Sequence, residues 1–250
     1  MGEAVNLKTP LESTIHALSA WLSDSGSRLP WRASWTYLGL PPRCFFCEDD
    51  GDLGPIDLCA GCLAGLPWAL DPVIESSTYA ALMFREPVDE ALKALKYRGD
   101  RRAARLFGAL LAAAVPKLEI PEVLIPVPLH PERVCSRGFN QSWLLAKHAG
   151  DWLDRPVRKS WISRTRATLS QTGLHATERR CNVEGAFVVS PDIRKEIESL
   201  GVSRVALVDD VVTTGATLDA ARLALLDAGV SSVQCWAVAR AMPKNSTRPT

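Results

Sequence analysis

The sequence predicts an α/β protein, a doubly wound parallel sheet with a small zinc ribbon near its N-terminus, and two observations predict it. Beyond Glu86, short β-branched runs alternate with stretches of helical periodicity, and strands separated by helices form a parallel sheet covered on both faces. Upstream, Cys44, Cys47, Cys59 and Cys62 make two C-x2-C pairs with an eleven-residue gap between them, a spacing that brings four thiolates around one point.

Composition agrees with this organisation. A chain of 250 residues, 47% hydrophobic and 23% charged, is long enough for one large domain with a sizeable core plus an appendage. The net charge of +1 argues against a protein that holds nucleic acid by global electrostatics. Charge is uneven, however: between Lys93 and Arg180 about 17 Lys and Arg face about 7 Asp and Glu, which predicts a basic surface or a merely solvated face. No secretory signal is visible, and the longest apolar run, Ala109 to Val115, falls far short of a membrane span, so the expectation is a cytoplasmic protein.

Leu11, Ile15, Leu18 and Leu22 recur at helical spacing and predict a helix within residues 1–37. From Glu86 a helix follows with Val88, Leu92 and Leu95 on one face, and a second runs from Asp100 to Val115. Val123, Leu124, Ile125 and Val127 form a strand bounded by prolines, and Gly138 to Trp152 reads as a helix with Trp143, Leu144 and Ala146 turned inward. Val157–Ile162, Ala186–Val189, Arg204–Val208 and Val233–Ala239 are the remaining strands, with helices near Asp192–Leu200 and Ala216–Leu226.

The four cysteines suit tetrahedral Zn²⁺, with a redox pair or an iron–sulfur site as the alternatives. A site filled by four sulfurs leaves no position for substrate water, so the metal is expected to be structural. Cys135, Cys181 and Cys235 lack such spacing and read as buried small hydrophobes.

The segment from Val205 to Thr217 carries the most chemistry. Four apolar residues read as a buried strand, Asp209 and Asp210 stand at its C-terminal edge, and Thr213-Thr214-Gly215-Ala216-Thr217 opens a helix. Amides at a helix start lack intrahelical partners, Gly215 lets the chain approach closely and the threonine hydroxyls add donors, which together make a monophosphate cradle. The adjacent carboxylates suit a pair of sugar hydroxyls, accepted directly or through Mg²⁺. The alternative is an ordinary strand-to-helix connection whose acidic and hydroxyl side chains cap backbone groups.

These thirteen residues resemble the signature with which type I phosphoribosyltransferases bind 5-phosphoribosyl-1-pyrophosphate (PRPP). The wider pattern resembles the ComF/GntX family, named for DNA uptake and utilisation. The resemblance extends over Leu38 to Cys44 and the other cysteines, Leu95 to Asp100, Pro126 to His130 with Arg133, Arg137 to Ser142, and Arg164 through Gln171 to Arg179 and Asn182.

It implies a sheet of the type I phosphoribosyltransferase kind, with Asp209 and Asp210 on the ribose hydroxyls and Thr213 to Thr217 on the 5′-phosphate. The loop Leu129 to Arg133, with His130, would take pyrophosphate. Residues 163–177 would close over the substrate, bringing Arg164, Arg166 and Arg179 to the leaving group, and Mg²⁺ would enter with PRPP. His130, His148 and His175 are candidate bases by type only, His148 being read as structural. The chain then divides into a helical extension (1–37), a zinc ribbon (38–75), a phosphoribosyltransferase-like domain (76–243) and a tail (244–250).

Three functions compete: transfer of phosphoribosyl to an unknown acceptor, a PRPP sensor that performs no transfer, and an adaptor for single-stranded DNA or the DNA-uptake machinery. The last rests on the basic stretch, the ribbon and the interspersed Trp143, Trp152 and Trp161.

Overall fold

A computed structural model of the chain describes residues 43–50, 53, 56–69, 73–75, 78–115, 120–165 and 185–241. The expected N-terminal helix and C-terminal tail, together with Arg166, Gln171, His175, Arg179, Cys181 and Asn182, lie outside the described residues. The chain divides into two compact units, Met1–Leu66 and Pro67–Thr250.

In the first unit each cysteine pair forms a tight turn. The Cys44 carbonyl accepts from the Glu48 amide at 3.0 Å, and the Cys59 carbonyl accepts from the Leu63 amide at 2.9 Å as helix α1 (Ala60–Gly65) begins. Cys44, Ile56, Leu58 and Leu63 are buried.

The second unit runs β1 (Val73–Glu75), β2 (Thr78–Met83), α2 (Val88–Lys93), α3 (Arg101–Ala114), β3 (Val123–Pro126), α4 (Pro131–Arg137), α5 (Gln141–Leu153), β4 (Ile162–Arg164), β5 (Phe187–Val189), α6 (Ile193–Leu200), β6 (Arg204–Val212), α7 (Ala216–Asp227) and β7 (Ser232–Arg240). Between α2 and α3 lies a π-helical turn, Ala94–Arg98. The main sheet has the order β1-β2-β7-β6-β3, four parallel strands with β1 added antiparallel at one edge. Val205 to Val208 and Val233 to Ala239 are buried almost without break, as expected of central parallel strands covered on both sides.

Val123, Ile125, Val205, Leu207, Val233 and Cys235 belong to one core cluster with Leu218, Ala221 and Leu225 of α7 and Ile193 and Ile197 of α6. Leu124, which alternation turns to the other face, meets α5 at Gly150, and α3 packs along α5 and onto β7 and β2. Asp100 caps α3 by accepting from the Arg102 and Ala103 amides, and Asn140 caps α5 by accepting from the Ser142 amide at 2.9 Å. Among the described residues no helix is long and apolar enough to cross a membrane.

Several expectations change. Two of the expected strands do not join the parallel sheet: β4 and β5 pair antiparallel with each other, and Val157 makes only an isolated bridge to Leu124. Their burial is one-sided, Ile162 and Phe187 inward and Ser163 and Val188 outward, which suits a covering layer rather than a central strand. β6 continues past Val208 to Val212 because Val211 and Val212 still pair with Ala239 and Arg240.

In α5 the buried stripe is Leu145, Ala146, Ala149 and Trp152, with Trp143 and Leu144 half-buried on its flank. Leu129 to Arg133 is not wholly a loop, since Pro131 starts α4, where proline is already set for a helix. Cys135 lies on α4 and is exposed rather than buried, whereas Cys235 is buried.

Candidate functional site

In the first unit the Sγ atoms of Cys44, Cys47, Cys59 and Cys62 lie within 4.8 Å of one another, close enough to hold a metal ion. A zinc ion with Zn–S bonds of about 2.3 Å sets its sulfurs about 3.8 Å apart, and the Cys47 and Cys59 sulfurs are 3.7 Å apart. The donor set therefore fits such an ion. Burial opposes ionisation of Cys44, but amide donors at Cys47, Cys59 and Phe46 bring its thiol down to about 6. Burial and the neighbouring sulfurs push Cys62 far up. Four crowded thiolates repel one another unless a cation sits between them.

In the second unit the C-terminal end of β6 gathers charge from four separate segments. Asp210 is buried, and its Oδ2 lies 3.3 Å from Lys96 Nζ on the π-helical turn. Asp209 Oδ1 accepts from the Ser142 hydroxyl of α5 at 2.8 Å and from the Asp210 amide at 2.9 Å, while Asp210 Oδ1 accepts from the Val211 amide at 2.9 Å. Burial and then the charge of Asp210 push the Asp209 carboxyl up to about 7, against those hydrogen bonds. Asn140 fixes the start of α5 to the end of β3 by donating to the Val127 carbonyl at 3.0 Å, which places Ser142 beside the pair.

Basic side chains surround the carboxylates. Arg133 and Arg137 are four residues apart on α4 and so share a face. Burial lowers the Arg137 guanidinium from its usual range, the charge of Asp210 opposes that, and Arg133 adds to it. Arg164, at the end of β4, is lowered by burial and by Arg133, with Asp209 opposing, and its guanidinium stands 5.5 Å from the centre of the Phe187 ring. Arg137 donates to Gln141 Oε1 at 2.5 Å and lies 5.8 Å from the centre of the Tyr97 ring.

Thr213 and Thr214 are exposed, Gly215 and Thr217 half-buried and Ala216 buried. Gly215 has φ 79°, in the left-handed region where a side chain is strained, and is the N-cap of α7. The first intrahelical bond runs from the Asp219 amide to the Gly215 carbonyl at 2.9 Å, so the amides of residues 216–218 precede the ladder. His130 is the N-cap of α4, its Nδ1 accepting from the Glu132 amide at 3.4 Å.

Of the expected residues, Arg164 is coupled electrostatically to Asp209 and Arg133 reaches the group through Arg137 and Arg164, while Arg166 lies outside the described residues. Lys96, Arg137 and Ser142 were not read as site residues in the sequence. The only signal for them was that each falls in a segment matching the family pattern, Leu95 to Asp100 or Arg137 to Ser142.

No family model matches the chain. It is 31% identical over 226 residues to Competence protein F of Haemophilus influenzae, covering 80% of this chain and 97% of that protein. DNA utilization protein YhgH of Escherichia coli is 33% identical over 218 residues, 84% of this chain and 88% of the relative. Competence protein ComFC of Bacillus subtilis is 28% identical over 244 residues, 90% and 96%. Similarity at this level over nearly the whole length of these relatives shows that the chain belongs to the ComF family.

Proposed function

We propose that the chain binds PRPP at the C-terminal end of β6 and transfers its phosphoribosyl group to an acceptor with release of pyrophosphate. The sheet is then of the type I phosphoribosyltransferase kind, the protein works in the cytoplasm, and the activity serves DNA uptake or utilisation, the last as the names of the relatives suggest. The observation that carries this reading is the joining, at one sheet edge, of an acidic pair, a helix start with a left-handed glycine and a set of arginines. Ligands of open α/β sheets bind at that edge.

In this reading Asp209 and Asp210 accept the ribose hydroxyls. The amides and hydroxyls of Thr213 to Thr217 hold the 5′-phosphate, where the helix dipole favours an anion. Arg133 and Arg164, with Arg166, stabilise the pyrophosphate as negative charge grows on it. His130 sets the start of α4 and thereby the position of Arg133. Mg²⁺ arrives with PRPP as part of the substrate and neutralises the leaving group. The acceptor attacks the anomeric carbon, the bond to pyrophosphate breaks, and the leaving oxygen takes the electron pair.

The four cysteines hold a structural Zn²⁺ in the same reading. An adaptor for single-stranded DNA would need exposed rings for stacking. Of the three tryptophans named for it, Trp152 and Trp161 are buried and Trp143 is half-buried, with Lys159 Nζ 5.4 Å from its ring centre. The test is PRPP-dependent pyrophosphate release with bases, nucleotides and single-stranded DNA as acceptors. Release with one acceptor class supports transfer. PRPP binding with no release from any acceptor favours the sensor, and no PRPP binding removes both.

A further inference from the structure

A cation of the chain itself already stands at the acidic pair. Lys96 Nζ lies 3.3 Å from Asp210 Oδ2, and the two side chains are 32% and 7% exposed, so a partly open ammonium meets a buried carboxylate. Lys96 is seated by its backbone, because it belongs to the π-helical turn Ala94–Arg98, whose Ala94 and Leu95 are buried and which ends on Gly99 at φ 67°. Turns of this kind concentrate at functional sites. The other oxygens are engaged as well. Asp210 Oδ1 accepts from the Val211 amide, and Asp209 Oδ1 from the Ser142 hydroxyl and the Asp210 amide, so groups of the chain take three of the pair's four carboxylate oxygens. Arg137 feels the charge of Asp210, and Arg164 that of Asp209.

Mg²⁺ demands near-octahedral oxygen ligands at about 2.0–2.1 Å, one or two of them carboxylates where it accompanies a phosphate. At this pair it would meet an ammonium on the same oxygen, with two guanidiniums adding to the repulsion. The arrangement does not fit a divalent cation on the carboxylates. It does fit a hydroxyl. An ammonium has three N–H donors, so beyond its contact with Asp210, Lys96 can donate to a hydroxyl oxygen whose own proton goes to a carboxylate.

We propose that Lys96 is the resident counter-ion of the acidic pair, so that the sugar-phosphate half of the ligand binds without a divalent cation and Mg²⁺ touches only the pyrophosphate. This rests on the PRPP reading of the same site and deepens it by naming the positive charge that faces the carboxylates.

The experiment measures calorimetric affinities of the full chain for PRPP and for ribose 5-phosphate, which lacks the pyrophosphate, in buffers with and without Mg²⁺. No chelator is added, so that a metal on the cysteines stays in place. Ribose 5-phosphate should bind the wild type equally well in both buffers. Without Mg²⁺, Lys96→Met should weaken that binding at least about tenfold, the cost of losing a charged hydrogen-bond partner. Added Mg²⁺ should restore part of it, which a merely structural role for Lys96 would not allow, and Lys96→Arg should retain it. The wild-type comparison needs no variant, so it tests the inference even where circular dichroism shows Lys96→Met to be misfolded. Where PRPP binds, three results overturn the inference alone: wild-type binding of ribose 5-phosphate that is absent or requires Mg²⁺, a folded Lys96→Met chain with wild-type affinity, or a loss in that variant that Mg²⁺ does not reverse. Absence of PRPP binding removes the PRPP reading with it.

Discussion

Asp209 is held in a conformationally fixed but electrostatically poor position, beside a second carboxylate with its own charge disfavoured. Its folded-state pKa is raised from 3.8 to about 7, so the folded chain holds this proton more tightly than the unfolded chain does. Stability therefore falls as the pH rises through that interval, and the whole penalty is present above it. Asp209→Asn should raise the midpoint of thermal unfolding at pH 8 while weakening PRPP binding; a lowered midpoint would contradict the account.

His148 works in the opposite direction. Burial, with Lys147 and Arg105 nearby, lowers its pKa from 6.5 to about 4, and its Nδ1 is buried without a hydrogen-bond partner. The unfolded chain then binds a proton that the folded chain refuses, so stability is lost as the pH falls from 6.5 towards 4. His148→Gln should flatten that part of the stability–pH curve, as denaturant titrations at pH 7 and pH 5 would record.

Among the elements, α3 and α5 approach closely because Gly108 lies at their contact. A Cβ there would come within 2.6 Å of His148 Cβ, 3.0 Å of the Leu145 carbonyl oxygen and 3.1 Å of the Ala149 amide nitrogen. Backbone atoms cannot give way as a flexible side chain can. Gly108→Ala should therefore destabilise the fold by about 1–3 kcal/mol, the usual cost of overpacking, despite the better helix propensity of alanine. A stabilised variant in denaturant unfolding would show the helices to be further apart.

At this scale the sequence was legible where one element's signal is contiguous. The apolar run Val205–Val208 of β6, the helix start at Asp100 and the turn at Gly215 each sit within a few residues, so periodicity and composition reveal them. It was less legible where tertiary pairing decides. β2 is alanine-rich and becomes a strand through its partner β7, while the three-residue β4 and β5 find each other rather than the main sheet. The same limit applies to the site. Asp209 and Asp210 announce themselves as neighbours in a motif, but Ser142 meets Asp209 across 67 residues and only the chain's path brings it there.

For the molecule as a whole, the division into two units predicts two separable stabilities. Structural zinc contributes on the order of 10 kcal/mol to small cysteine-held folds, so chelation should unfold the region from Cys44 to Cys62 and leave the sheet of the second unit intact. Hydrogen exchange would record that as lost protection confined to the first unit. A chelated, zinc-free chain with unchanged protection there would show that the cysteines hold no structural metal.

The central claim is that the end of β6 and the start of α7 receive an activated sugar phosphate. It is tested most directly by calorimetric titration of the full chain with Mg²⁺ and PRPP, alongside a variant carrying Asp209→Ala and Asp210→Ala. Saturable binding at one site in the wild type, lost in a variant whose circular dichroism is unchanged, is the predicted result; matching isotherms for the two proteins would contradict it.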